Sequence, residues 1–184
     1  MTTFISLLRG VNVVGKNKIQ MEELRTLYES MGLRDARTYI QSGNVVFRTP
    51  ARNSAGLSRR IEDAIETGFG FRPRVMVRTL AELLEVVARN PFAQQRNLHP
   101  AKLLVFFLAA LPTREACDQA LAINVGPEQL RMSQRELFIY FPTGQGQSKL
   151  AMARVEKALA TAATGRNWNT VTRLVALAQE LENS

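Results

Sequence analysis

Apolar positions along the chain come in short blocks separated by helix-spaced ones. Phe4 to Leu8 is a short apolar run, followed by the polar loop Arg9 to Lys18; Met21, Leu24, Leu27, Tyr28 and Met31 then recur at helical spacing until Gly32. This predicts strand, loop and helix. Thr38 to Gln41 and Val45 to Arg48 flank Ser42-Gly43-Asn44, a turn-forming set between two β-rich segments, and so predict a hairpin. Leu57, Ile61 and Ile65 mark a helix face ending at Gly68, and Arg74 to Arg78 has the length of a strand. The first half reads βαββαβ.

Thr79 with Glu82 three residues on is a capping box ahead of Leu83, Leu84 and Val87, and Asn90-Pro91 closes that helix. An irregular stretch extends from there through His99-Pro100. The order then repeats: a strand from Lys102 to Leu108, a helix opened by Pro112-Thr113 and running through Ile123, and strands near Gln129 to Met132 and Leu137 to Phe141. Ser148 is expected to cap a helix to about Ala163. Asn167 is expected to cap a last one with Trp168, Val171, Leu174, Val175, Ala178 and Leu181 on one face. The expected organisation is a half at 1–90, a linker at 91–101 and a half at 102–184 that ends in the terminal helix. The fold class is α+β: two ferredoxin-like βαββα(β) halves, mainly antiparallel sheets covered by helices on one side, related by internal duplication. That fold hosts many functions, so function must be sought in the loops.

Composition narrows the class. The chain has 184 residues, of which 46% are hydrophobic, with 11 Gly and 7 Pro, enough for a packed core and unlike disordered or collagenous chains. Lys and Arg number 24 against 16 acidic residues, a net +8 that favours a polyanionic partner. Nineteen of the 24 are Arg, which together with the abundant Ala also fits the codon usage of a GC-rich genome. The single Cys117 rules out an internal disulfide and is read as a small buried apolar residue; the single His99 rules out the usual Cys/His zinc sites. No metal and no cofactor are expected. No stretch approaches the roughly 20 apolar residues of a membrane span, and the start has no basic segment ahead of its apolar run. A cytoplasmic protein without a membrane partner is expected.

Gly10-Val11-Asn12-Val13-Val14-Gly15-Lys16-Asn17 matches the phosphate-binding G-x-x-x-x-G-K pattern except at Asn17, where the metal-binding Ser or Thr would stand. No apolar strand ends in the Asp that would hold magnesium, and Asn17 to Gln20 delays the helix, so nucleotide hydrolysis is not expected. What remains is a metal-free nest in which Gly15 and Lys16, beside Arg9 and Asn12, face an anion; the alternative is that Gly10 and Gly15 only permit positive φ. Gly144-Gln145-Gly146-Gln147-Ser148-Lys149 also leads glycines into a helix start, where Ser148 and Lys149 would meet an anion or simply form a turn and cap. Trp168 falls in register with Val171 and Leu174 and is expected in the core, leaving Arg166 and Asn167 to face a ligand. Gln41, Ser42 and Asn44 bring amide and hydroxyl groups to the hairpin turn, with Asn bonding its own backbone as the alternative.

Comparison with RNA-recognition modules fails: only Phe4 and Phe47 stand on the strands that would stack bases, and the basic-Gly-aromatic signature is missing. Glu22, Glu23, Glu62, Asp63, Glu82 and Glu85 lie on predicted helices and read as solvated faces. No catalytic set forms around one His, although a Ser–Lys pairing through Ser42 or Ser148 stays open, and with it the question whether the chain is an enzyme.

Three segments together resemble one family: Leu7 to Asn12 through Gly15-Lys16, Thr38 to Phe47, and Ser148-Lys149-Leu150 with Arg166 to Thr170. The chain is similar over nearly its whole length to DUF1697, a bacterial family of unknown function. The resemblance implies an α/β fold of two related halves in a cytoplasmic protein and brings no activity with it. Val14 stands where that family usually has a glycine, which weighs against a backbone cradle there. From the residues, the leading expectation is an anion-binding module in which Arg9, Lys16, Lys149 and Arg166 gather with Gln41, Asn44 and Asn167 around nucleic acid or a phosphorylated small molecule. The alternatives are a small transferase-like enzyme acting on a phosphorylated substrate and a protein-interaction scaffold.

Overall fold

The structure, a computed structural model, describes residues 1–123 and 126–184. They divide into two compact units, Met1–Leu84 with Arg173–Ser184, and Glu85–Thr172. The segment 91–101 falls inside the second.

The first unit runs β1 (Thr2–Leu8), α1 (Met21–Ser30), β2 (Arg34–Tyr39), β3 (Asn44–Thr49), α2 (Ser54–Phe69) and β4 (Val75–Thr79), and leads into α3 (Leu80–Ala88). Its strands form an antiparallel sheet of order β2-β3-β1-β4. The second runs β5 (Leu103–Leu108), α4 (Arg114–Ala122), β6 (Gln129–Ser133), β7 (Glu136–Tyr140), α5 (Met152–Leu159) and β8 (Ala163–Asn167), and leads into α6 (Trp168–Glu182). Its antiparallel order is β6-β7-β5-β8. The class is α+β with two similar halves.

The repeat extends to single hydrogen bonds. The Leu8 amide donates to the Gly43 carbonyl and the Leu108 amide to that of Arg135, both at 2.9 Å; Arg9 to Arg74 and Ala109 to Ala162 match in the same way. Ile5 pairs with Arg78 on the fourth strand of one sheet, and Val105 with Arg166 in the other. Both arginines are buried, and each donates to the carbonyl before it, Val77 at 3.1 Å and Gly165 at 2.8 Å. Thr79 and Asn167 occupy the same place ahead of α3 and α6. Thr79 and Glu82 form the expected reciprocal box, at 3.1 and 2.8 Å, and the Asn167 side chain accepts from the Asn169 amide at 2.9 Å.

In the first unit Phe4, Leu8, Val45, Phe47, Val75 and Val77 share a core with Leu24 and Tyr28 of α1 and with Leu57, Ile61 and Ile65 of α2. Phe47 stacks on Phe4 at 6.0 Å and meets Tyr28 edge-on at 5.4 Å. Tyr28 is fully buried, and its hydroxyl pairs with Ser6 Oγ at 2.8 Å, the partner such a group needs. The second core joins Leu104, Phe106, Leu108, Leu137 and Ile139 to Ala120, Val155 and Leu159, with the half-buried Cys117 against it. Burial pushes the Cys117 thiol up, away from a reactive thiolate.

The opposite sheet faces are buried too: Ile5, Leu7, Val46 and Met76 in one sheet, and Leu103, Val105, Phe107 and Phe138 in the other. The helices inside each half, α1 with α2 and α4 with α5, do pack on one side as expected. Two-sided burial is the reason β5 is a continuous apolar run and β1 and β7 are mostly apolar without alternation. Other differences are local. Helix α2 passes Gly68 and ends on Gly70, whose φ of +76° closes it. Glu62 is buried, accepting from the Val75 amide at 3.0 Å and pairing with Arg72 at 3.3 Å, because the start of an edge strand needs an acceptor. Helix α5 starts at Met152, well after Ser148, and Ala163–Asn167 is a strand in which Gly165 lets the Phe106 ring approach. Trp168 is half-buried, 6.4 Å from Phe138.

Tyr28→Phe is expected to cost about 1 kcal/mol in equilibrium denaturation, the worth of one buried hydrogen bond. Burial also pushes the Tyr28 phenol up, so the folded state holds its proton more tightly. Its contribution is complete below the ordinary phenol value of about 10 and is lost as pH rises beyond it. The alkaline fall in wild-type stability should therefore be shallower in Tyr28→Phe.

Candidate functional site

The loop after β1 folds as a small hairpin. Val14 and Gly15 both have positive φ, +47° and +76°, the pair that makes a type I′ turn. The Lys16 amide donates to the Val13 carbonyl at 2.9 Å and the Asn12 amide to that of Asn17 at 3.1 Å. Side chains then fasten its base. Asn12 Nδ2 donates to the carbonyls of Ile19 (3.0 Å) and Gln41 (2.9 Å), its Oδ1 accepts from the Ile19 amide (2.9 Å), and Asn17 Nδ2 reaches the Gly10 carbonyl (2.9 Å). The amides of Asn12 and Lys16 are thus spent inside the loop, so the expected nest is replaced by a turn that Gly15 permits. An open depression of about 590 Å³ beside it is lined by Asn12, Gly15, Lys18, Gln20, Glu23 and Gln41 among others. Glu22 and Glu23 in the first turn of α1 offset the positive helix end there.

The hairpin turn between β2 and β3 is equally structural. Asn44 is buried and donates to the Tyr39 carbonyl at 3.0 Å and to Ser42 Oγ at 2.9 Å, so it faces no ligand. Gly43 has φ +72°, and a Cβ there would lie 2.8 Å from Leu8 Cβ. Arg9, Lys16 and the Gln41 side chain remain exposed.

A better-formed cavity lies in the second unit, and its origin is a difference between the halves. Helix α2 has 16 residues and comes after β3 by way of residues 50–53; its counterpart α5 has 8 and comes after β7 by way of residues 141–151. Irregular chain, with a 3₁₀ turn at Gln145–Gln147, thus replaces the first turns of the helix. It borders a cavity of about 460 Å³ whose wall includes Ile123, Pro127, Leu150 and Ala151, with Thr143, Gln147, Glu128, Lys149 and Arg154 as the polar groups. Lys149 and Arg154 are exposed and have no ion pair among the described residues. Helix α5 has no acid in its first turn and no side-chain cap. Two cations and a positive helix end therefore meet at one opening, whose one carboxylate, Glu128, is buried and bonded to Ser148 rather than ion-paired with either cation among the described residues.

Ser148 is turned into the wall. Its Oγ donates to the buried Glu128 carboxylate at 2.5 Å and accepts from the Leu150 amide at 3.1 Å, so it neither caps α5 nor pairs with a lysine. Arg166, expected to face a ligand, is only 7% exposed on β8 and donates to Thr164 Oγ1 and the Gly165 carbonyl, both at 2.8 Å. Burial pushes its guanidinium down to about 10, leaving it charged at neutral pH. Asn167 is held by its cap and by a 2.8 Å bond to the Ala101 carbonyl. Of the second-half candidates only Lys149 faces the cavity. Sequence reading missed Arg154, Glu128, Thr143 and Gln147. Arg154 becomes legible once the helix start moves to Met152, which sets it in the first turn.

Val14→Asn, which supplies the residue a left-handed turn prefers, is expected to stabilise the protein by about 1 kcal/mol in chemical denaturation. Gly43→Ala should cost about 3 kcal/mol, from its positive φ and the contact with Leu8. An unchanged midpoint in either variant would contradict this account of the two turns.

Comparison with known proteins agrees with the two-half fold. The conserved bacterial protein SP0830 from Streptococcus pneumoniae has a structure similar to this chain, with a TM-score of 0.74 and 25% sequence identity, covering 96% of this chain and 98% of its own. No curated protein matches the chain. Residues 1–138 match the family described as "Protein of unknown function (DUF1697)", a match that ends just ahead of the irregular chain bordering the cavity. On that match, which spans both sheets as far as Phe138 of β7, the chain belongs to the DUF1697 family.

Proposed function

We propose that this protein is a binding module for a phosphorylated small molecule, taken up in the cavity of the second unit. The observation that carries the reading is the meeting of Lys149 and Arg154, without acidic partners among the described residues, at the unopposed N-terminus of α5. Each would give an anion charge-assisted hydrogen bonds, worth about 1.5–3 kcal/mol apiece. Ile123, Pro127 and Leu150 would hold an apolar body, while Thr143 and Gln147 offer neutral hydrogen bonds for orientation. Recognition of the anion would rest on the two cations.

Two features favour a small molecule over nucleic acid. A volume of about 460 Å³ lies within the roughly 300–1,000 Å³ of small-ligand pockets. Both faces of each sheet carry buried residues along the central strands, which removes the open aromatic platform on which single-stranded bases stack.

Phenyl phosphate, inorganic phosphate and phenol form a matched set of probes for calorimetric titration. Phenyl phosphate should bind most tightly, inorganic phosphate more weakly and phenol not at all. Lys149→Ala and Arg154→Ala should each weaken phenyl phosphate at least tenfold, with Lys16→Ala as an unaffected control. Equal binding by the Lys149→Ala/Arg154→Ala double variant would overturn the reading.

A further inference from the structure

We propose, against the expectation of no membrane partner drawn from the sequence, that the hairpin between β1 and α1 is a shallow docking tip for an anionic lipid surface. Three observations meet there. Val14 is 94% exposed and Val13 53% exposed, an apolar tip left in water. Val14 also holds a left-handed backbone, φ +47°, which a β-branched residue adopts only at a cost in stability, and strain of this kind marks places where something other than stability is served. Finally, Lys16 and Lys18 stand directly behind the tip, both exposed and without an ion pair among the described residues.

The chemistry selects the occupant. This chain uses Arg for 19 of its 24 cations, yet two of its five lysines lie on this one loop. Lysine is a compact point charge on a flexible apolar stem, suited to lying along an acyl boundary with its ammonium among phosphates. Base recognition draws instead on arginine forks and aromatic faces; the loop from Arg9 to Lys18 has no aromatic residue, and its one arginine, Arg9, stands at its base rather than at the tip. Ile40, also exposed, belongs to the turn whose Gln41 carbonyl the Asn12 side chain clasps at the base of the hairpin. The Asn12 and Asn17 bonds hold the hairpin in shape before contact, which lowers the ordering cost of docking. No helix among the described residues is long and apolar enough to cross a membrane; contact of this depth needs none. Binding would combine shallow apolar insertion with attraction to anionic headgroups, and would weaken with salt.

The test is co-sedimentation of the full chain with vesicles of phosphatidylglycerol and phosphatidylethanolamine in equal parts, against vesicles of phosphatidylcholine. Wild type should pellet with the anionic vesicles alone. Val13→Ser/Val14→Asn and Lys16→Gln/Lys18→Gln should each weaken that binding at least tenfold. Asn suits the turn, so a melting temperature at or above wild type will show the first variant folded. Arg52→Gln/Arg59→Gln removes equal charge elsewhere in the same unit and should leave binding within twofold. The proposal is overturned if wild type stays in solution, if the hairpin variants pellet like wild type, or if the arginine control loses as much as the lysine one. Retention by duplex DNA in place of vesicles, lost in the same hairpin variants, would reassign the tip to nucleic acid and overturn it equally.

Discussion

Strands β1 and β5 each lie between two hydrogen-bonded neighbours, and both are buried on both faces from their second or first residue onward. That double burial constrains everything around them. A strand with two dry faces must give all its backbone groups to the ladder, so its register with β3 and β4, or with β7 and β8, is fixed at every step. The loops that leave it are then launched from set positions. Leu8 and Leu108 are tied across to the neighbouring turns by matching 2.9 Å bonds, and the loop beyond each is free to diverge.

Divergence is where the candidate chemistry collects. The two halves share ladders and cap positions while differing in how β3 and β7 are joined to the helices that come after them. A helix half as long leaves a gap that irregular chain only partly fills, and the gap is rimmed by cations at the exposed helix end. The first half instead elaborates the connection after β1, where Asn12 serves three hydrogen bonds at once. The same plan in both halves thus carries two differently built loops.

Much of the fold was legible because strongly patterned segments obey local rules. The helix faces of α1 and α2, the Ser42-Gly43-Asn44 turn and the Thr79–Glu82 box all arise from spacing and capping chemistry. The strand Ala163–Asn167 was not legible: it contains Gly and Asn, has no alternation, and owes its pairing to β5 and to the space that Gly165 leaves for Phe106. The candidate site was less legible for a related reason. Polar residues near glycines look ligand-facing in a sequence, yet Asn44 and Arg166 spend their groups inside the fold. Sequence shows which side chains can bond an anion but not which have already bonded the backbone. Lys149 could be found because nothing local competes for it; Arg154 could not, because its helix begins later than Ser148 suggests.

The buried arginines at matching places, Arg78 on β4 and Arg166 on β8, have a consequence for assembly of the sheets. Side chains alternate across a strand, so sliding β4 or β8 by one position would drive a guanidinium into the packed layer occupied by Phe4 and Val45, or by Phe106 and Leu137. An apolar strand could slip and still be greasy on both sides. One charge in each fourth strand makes a one-position slip expensive, so these arginines act as phase marks that fix which face of β4 and β8 turns into the packed layer.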